Sequence, residues 1–259
     1  MTEAARKTRI SVITVARNAA STIGEAVASV ARQSYADVEH VLIDGASTDD
    51  TVKIARDASP SLTKIRSGPD SGIYEAMNRG LEIVTGDVIG FLNADDLYAH
   101  DDVLAHVADA LRAHPEADGC YANLVYVDRA VATRVVRHWR SCSYERGLFA
   151  RGWVPPHPTV YLRREAYGRI GGFDLRYRLA ADFELMLRAF EVHRLRAIHV
   201  PEVWVRMRLG GATNRSLGNI ARGNREIANA LRLHQVSWPP FSLTCRVLRR
   251  IPQFFMRPS

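Results

Sequence analysis

Two hydrophobic periods alternate along the first hundred residues of the chain. Continuous β-branched runs read as buried strands: "RISVITVA" (9–16), "VEHVLIDG" (38–45), "TKIRS" (63–67) and "VIGFL" (88–92). Between them the apolar positions fall at helical spacing. Ile23, Ala26, Val27, Val30 and Ala31 share one face after Asn18. Ile73, Met77, Leu81 and Val84 do the same in "GIYEAMNRGLEIV". "STDDTVKIARDA" predicts a helix with Ser47 or Thr48 as its N-cap, and "DDVLAHVADALRA" predicts another.

The second half has a different rhythm. "GCYANLVYVD" and "TRVVRHW" predict a hairpin or meander, and "TVYLRREAYGRIGGFD" a strand, a short helix and a Gly-Gly turn. "AADFELMLRAFEV" predicts a helix, "LRAIHVPEVWVRMRL" an extended segment and "SLGNIARGNREIANALRLH" a further helix. No linker-like boundary precedes about Gly210.

Strand–helix alternation of this kind predicts an α/β fold: a mostly parallel central sheet with helices on both faces. Ligands in such folds bind at the carboxyl ends of the strands. Asn18, Asp44 and the run Asn93-Ala94-Asp95-Asp96 all fall there. The last run carries a buried-looking strand straight into two adjacent carboxylates. Their mutual repulsion and desolvation need compensation. A bound cation supplies it, and so does the start of the following helix.

Composition narrows the picture. The chain has 259 residues, enough for one large α/β domain or two small ones. No apolar run reaches the roughly 18–20 residues that span a bilayer, and "MTEAARKTRI" lacks the apolar core of a secretory signal. Three scattered cysteines without C-x-x-C spacing argue against a structural zinc site and suit a reducing cytoplasm. The net charge of +7 is uneven: residues 203–259 carry +9, from ten arginines and one acid, and the rest carries −2. Such a basic segment is either solvated or meets an anionic partner.

Five stretches now carry a resemblance: "ISVITVARN", "VLIDGASTDDT", "GPDSGIYEAMNRG", "GDVIGFLNADD" and "PPHPTVYLRREAYGRIGGFDLRYRLAADFELMLR". In this order, over about residues 9–210, they resemble the inverting family-2 glycosyltransferases with the GT-A nucleotide-sugar-binding fold. "PDSGIYEAMNRG", "GGFD", "AADFE" and "GGATN" look most like bacterial enzymes that add single sugars to exopolysaccharide or glycolipid precursors. The resemblance implies a GT-A domain over residues 1–210, with a nucleotide-binding half at about 9–100 and an acceptor half at about 101–210. A C-terminal helix and basic aromatic tail follow at 211–259.

What the resemblance implies for individual residues is specific. Asp95 matches the position that holds a divalent ion, Mg²⁺ or Mn²⁺, with Asn93 and Asp96 flanking it. The family's usual first Asp is Asn93 here. Asp44 matches the position that bonds the base or ribose, and Gly45 stands where a second Asp often follows. Ala16, Arg17 and Asn18 sit where the family often has Thr-Tyr-Asn. Asp70, Ser71 and Gly72 look like donor-pocket residues. Asp182 matches the catalytic base and His157 a histidine near the reaction centre. Residues 209–214, "LGGATN", look like a loop that closes over the donor phosphates.

The implied chemistry moves one sugar from a nucleotide-diphosphate donor of UDP, GDP or dTDP type. The acceptor is a hydroxyl of a lipid-linked, glycolipid or polysaccharide molecule. A carboxylate base takes the hydroxyl proton in a partly dry site. The basic aromatic tail suits attachment to an anionic membrane surface from the cytoplasmic side. Each residue also has a purely structural reading. Asp95 or Asp96 would cap the next helix, Asp44 would close its own turn, and Asp182 would sit favourably in a first helical turn. Three other functions fit less well. A nucleotidyltransferase needs a Gly-rich phosphate loop that "VARNAAST" lacks, and a nucleic-acid binder needs a basic catalytic half. A non-catalytic family member is the third.

Overall fold

The computed structural model describes residues 8–59, 62–210 and 217–236. The run Ile10–Ala16 forms strand β1, buried at all seven positions. It lies between two parallel neighbours, β2 (Val38–Asp44) and β4 (Val88–Phe91), and β3 (Leu62–Ser67) pairs with β2 in parallel beyond them. The helices fall where the 3.6-residue spacing puts them: α1 (Ile23–Ala31), α2 (Thr51–Ala58), α3 (Ile73–Ile83) and α4 (Val103–Ala113).

The remaining strands are β5 (Leu97–Tyr98), β6 (Gly119–Val127), β7 (Val135–Trp139), β8 (Tyr161–Arg163) and β9 (Ala197–Arg208). The sheet order is β3-β2-β1-β4-β8-β6-β9-β5, with β7 paired to β6. Strand β8 is antiparallel to both β4 and β6, so β6 runs the same way as β4, and β9 runs parallel to β6. The carboxyl ends of β1, β2, β4, β6 and β9 therefore share one edge. The short β5 is antiparallel to β9 and has no pattern of its own in the sequence.

Both faces are covered. On one side lie α3, α5 (Arg164–Ile170), α6 (Ala181–Leu187) and α7 (Leu217–Leu233), through Met77, Ala166, Phe183 and Leu231. On the other side α4 packs Val103, Leu104, Val107 and Leu111 against β4, β6 and Trp204. Gly90 in "VIGFL" has a steric reason: a Cβ there would collide with the ring of Tyr161. Helix α2 corrects one expectation. It starts at Thr51 with Asp50 at the cap position, because Ser47 and Thr48 are engaged elsewhere: Ser47 Oγ donates to Asp44 and Thr48 N–H to Asn18.

Glu39 ties this half together. Its side chain is buried on β2 and accepts from Ser11 Oγ (2.6 Å), Thr85 N (2.6 Å) and Lys64 Nζ (3.0 Å). Burial opposes its charge, but the Ser11, Thr85 and Lys64 donors outweigh it and bring the carboxyl down to about 2. A depressed carboxylate stabilises the fold at every pH above its unfolded value of 4.5, and that stabilisation disappears as pH falls toward 2. The melting temperature of the wild type is therefore expected to drop more steeply between about pH 5 and pH 2 than that of Glu39→Gln. Parallel curves would remove Glu39 from the account.

Candidate active site

Ala16 pairs with Asp44, and Asp44 pairs with Ser67, so β1, β2 and β3 end in line. Asp44 is 1% exposed. Its carboxylate accepts from the hydroxyls of Ser47 and Ser67, each at 2.5 Å, and from Ser47 N–H at 3.1 Å. The last of these is the local turn that its position allows, but Ser67 brings in a second strand. Asn18 adopts φ 50°, which Asn tolerates, and its Oδ1 accepts Thr48 N–H at 2.9 Å. The loops after β1 and β2 are thereby laced together, with Arg17 exposed above them.

Gly45 stands beside this lacing for a reason the sequence does not show. A Cβ there would come 2.5 Å from Asp70 Oδ2 and 3.4 Å from Arg17 Cβ. A carboxylate thus reaches this spot from Asp70, on the loop before α3, rather than from the residue after Asp44. Asp70 Oδ1 accepts Gly72 N–H at 3.0 Å, and Ser71 N–H donates to Glu75 at 2.7 Å. Gly72 has φ +145°, a conformation that favours glycine.

Past β4 the chain turns tightly. Asp96 N–H donates to Asn93 O at 3.1 Å, and Asn93 Nδ2 to Asp96 Oδ2 at 3.0 Å. Asp96 is 1% exposed, and burial, then the neighbouring Asp95 charge, pushes its carboxyl well above the usual range. Asn93 Oδ1 and Asp96 Oδ1 are both buried and accept from no described residue. Neither aspartate caps α4, whose cap position is Asp102. Two orphaned acceptor oxygens beside a half-buried Asp95 form a hard-oxygen set that fits Mg²⁺ or Mn²⁺. Arg208, from the end of β9, donates to Asp95 O at 3.2 Å and pairs with Glu25 at 2.6 Å.

Asp182 enters from the opposite direction. It lies in the first turn of α6, which has no side-chain cap, and its Oδ1 accepts from Tyr74 OH at 3.1 Å. Burial, then the Asp182 charge, pushes the Tyr74 hydroxyl well above its usual range, so it stays a donor. Tyr74 stacks on Phe173 (5.5 Å), and Phe173 meets Phe91 edge-on (5.4 Å). His157 lies against both phenylalanines at 5.4 and 5.5 Å. Phe91 precedes Asn93 by two residues, so this aromatic box joins the carboxylate turn to Asp182. Burial lowers the affinity of His157 for a proton, and Asp182 works against that.

The support is built from distant segments. Asn78 clasps Phe173 through N–H and C=O at 2.8 and 2.9 Å, which holds the Gly-Gly turn. Glu226 on α7 accepts Leu179 N–H and Ala180 N–H at 2.8 and 3.0 Å, immediately before Asp182. Glu184 is buried and bonded to Arg188 and His234, a structural role. Tyr74, Arg208 and Glu226 carry no local mark in the sequence. Tyr74 differs only in following Asp70-Ser71-Gly72 into the helix. Of the loop 209–214, only Leu209 and Gly210 are described; residues 211–214 and the tail 237–259 lie outside the described residues.

The fold, a mostly parallel α/β sheet with the candidate acids at the carboxyl ends of β1, β2 and β4 and at the start of α6, is of the GT-A type. The chain belongs to glycosyl transferase family 2, whose family model matches residues 11–169. Over 183 residues it is 37% identical to a PGL/p-HBAD biosynthesis glycosyltransferase of Mycobacterium bovis, covering 70% of this chain and 69% of that protein. An uncharacterized glycosyltransferase of Mycobacterium tuberculosis is 34% identical over 181 residues, covering 70% and 68%. Among solved structures, S. aureus TarS 1–349 in complex with UDP-GlcNAc shares the fold at TM-score 0.65 and 18% identity, covering 86% of this chain and 66% of that one. The mannosyltransferase PcManGT of Pyrobaculum calidifontis, in complex with GDP-Man and Mn²⁺, shares it at TM-score 0.62 and 20% identity, covering 94% and 74%. Among the described residues no helix is long and apolar enough to cross a membrane.

Proposed function

We propose that this enzyme moves one sugar from a nucleoside-diphosphate sugar to a hydroxyl of a lipid-linked, glycolipid or polysaccharide acceptor, inverting the anomeric carbon. The observation that carries this reading is Asp182, held by Tyr74 at 3.1 Å and joined through Phe173 and Phe91 to β4, which leads into the turn of Asn93 and Asp95. Relatives named as PGL/p-HBAD biosynthesis glycosyltransferases support the acceptor class. Neighbours bound to UDP-GlcNAc and GDP-Man support the donor class.

Each residue then has one task. Ala16, Arg17, Asn18, Asp44 and Asp70 line the nucleoside end, with Ser71 and Gly72 shaping the turn beside it. Asp95, with Asn93 and Asp96, would hold the divalent ion, which supplies charge stabilisation for the departing diphosphate. Tyr74 occupies Asp182 Oδ1 and leaves Oδ2 without a hydrogen bond from any described residue. Oδ2 is the atom that receives the acceptor's hydroxyl proton as the oxygen attacks. Attack from the face opposite the diphosphate inverts the centre. His157 and the phenylalanines exclude water around that proton transfer.

The test is a melting-temperature panel with UDP, GDP and dTDP, each with and without Mn²⁺. Binding to the native state alone raises its apparent stability. One nucleotide is expected to stabilise the chain, and more so with the metal. No shift with any of the three would overturn the reading.

A further inference from the structure

Strands β6, β7 and β9 enclose a groove of about 670 Å³ on the sheet face that also carries Tyr121. Val125, His138 and Arg206 stand in register across it. Asn123 Oδ1 lies one step along, accepting Ser141 N–H at 2.8 Å and lying 3.2 Å from His199 Nε2.

The groove is polar and unsatisfied. His138 is only 4% exposed, yet neither ring nitrogen has a partner among the described residues, and Ser141 Oγ is likewise buried and unpartnered. Native interiors seldom leave such groups unpaired. Burial, then the charge of Arg140, lowers the affinity of His138 for a proton, so its ring presents one N–H and one lone pair. Arg140 and Arg206 also line the groove, and no described residue bonds or pairs with either guanidinium. Glu202 is the acid in the lining, and its Oε2 is already taken by His106 (2.6 Å) and Trp204 Nε1 (3.1 Å). Two free guanidiniums, with a buried imidazole N–H and hydroxyl beside them, suit an anion with several acceptor oxygens such as a phosphoryl group.

Two further observations say where that group comes from. Arg206 precedes Arg208 by two residues, about 7 Å of strand, and Arg208 holds the carbonyl of Asp95. The groove is also far larger than a phosphate and has room for a bulkier group that carries the phosphoryl. We propose that this groove binds a phosphoryl group of the acceptor-side substrate. The anion follows from the groove itself; its assignment to the acceptor rests on the glycosyl-transfer reading above.

The test uses the full chain and the double variant Arg140→Gln/Arg206→Gln, titrated calorimetrically with inorganic phosphate in the absence of divalent metal. Saturable binding is expected, weakened about tenfold or more in the variant. Affinity for the nucleoside diphosphate with Mn²⁺ is expected to move less than about twofold. No saturable phosphate binding, or equal binding by both chains, overturns the proposal. If no nucleotide binds at all, the glycosyl-transfer reading fails, while the phosphate titration still reports on the groove. Vesicles of phosphatidic acid and of phosphatidylcholine separate the sources. Weaker binding of the variant to the phosphatidic acid vesicles alone assigns the phosphoryl group to a lipid-linked acceptor; equal vesicle binding assigns it to a soluble one.

Discussion

Replacing Asp182 by Asn is expected to lower the rate of sugar transfer by about 10²–10⁴-fold, the range that a positioned general base supplies. The substitution is nearly isosteric. Asn Oδ1 still accepts the Tyr74 hydroxyl, so the aromatic box of Phe91, His157 and Phe173 keeps its anchor. Helix α6 loses no cap, because Asp182 makes none. The amide cannot take a proton at the second position. The fall should therefore appear in kcat, with the melting temperature and the affinity for the nucleoside diphosphate near those of the wild type. Tyr74→Phe is the informative companion: it frees Oδ1 without removing the carboxylate, and its loss in kcat should be smaller. Turnover of Asp182→Asn within tenfold of wild type would take the base away from Asp182.

The two halves of this site differ in how far the sequence announces them. Asn18, Asp44 and the Asn93–Asp96 run end strands whose hydrophobic pattern is continuous, so periodicity alone puts them at one edge. The order of β8, β6 and β9 has no such local signature. It depends on pairing between segments tens of residues apart, with register shifts between Tyr121 and Leu124. The same holds for the contacts that shape the chemistry. Tyr74 reaches Asp182 across 108 positions and Arg208 reaches Asp95 across 113. Gly45 reads locally as a missing acid, yet its lack of a side chain is what admits Asp70. Helix α7 reads as an appendage, while its Glu226 fixes the backbone that leads into Asp182.

Asp95→Ala is expected to abolish the stabilisation that Mn²⁺ adds to nucleotide binding, a loss of more than about 100-fold in metal affinity, since even partners of metal ligands contribute 10–100-fold. The opposite sign is expected for the metal-free protein. Asp95 and Asp96 are adjacent, and the charge of Asp95 helps burial to hold the Asp96 carboxyl well above its usual range. Asp96 keeps its bond to Asn93 when Asp95 is removed, and the charge that disfavours its ionised form is gone. The melting temperature without metal should therefore stay level or rise, while the response to Mn²⁺ with nucleotide disappears. A purely structural Asp95 gives the reverse pair: lower stability without metal and an intact Mn²⁺ response. The two readouts move in opposite directions under the two accounts, so a single melting series on one variant distinguishes them. On the cation account a buried strand runs directly into paired acids because the repulsion that helps raise the Asp96 carboxyl, only partly offset by Asn93 and Arg208, would be relieved on binding.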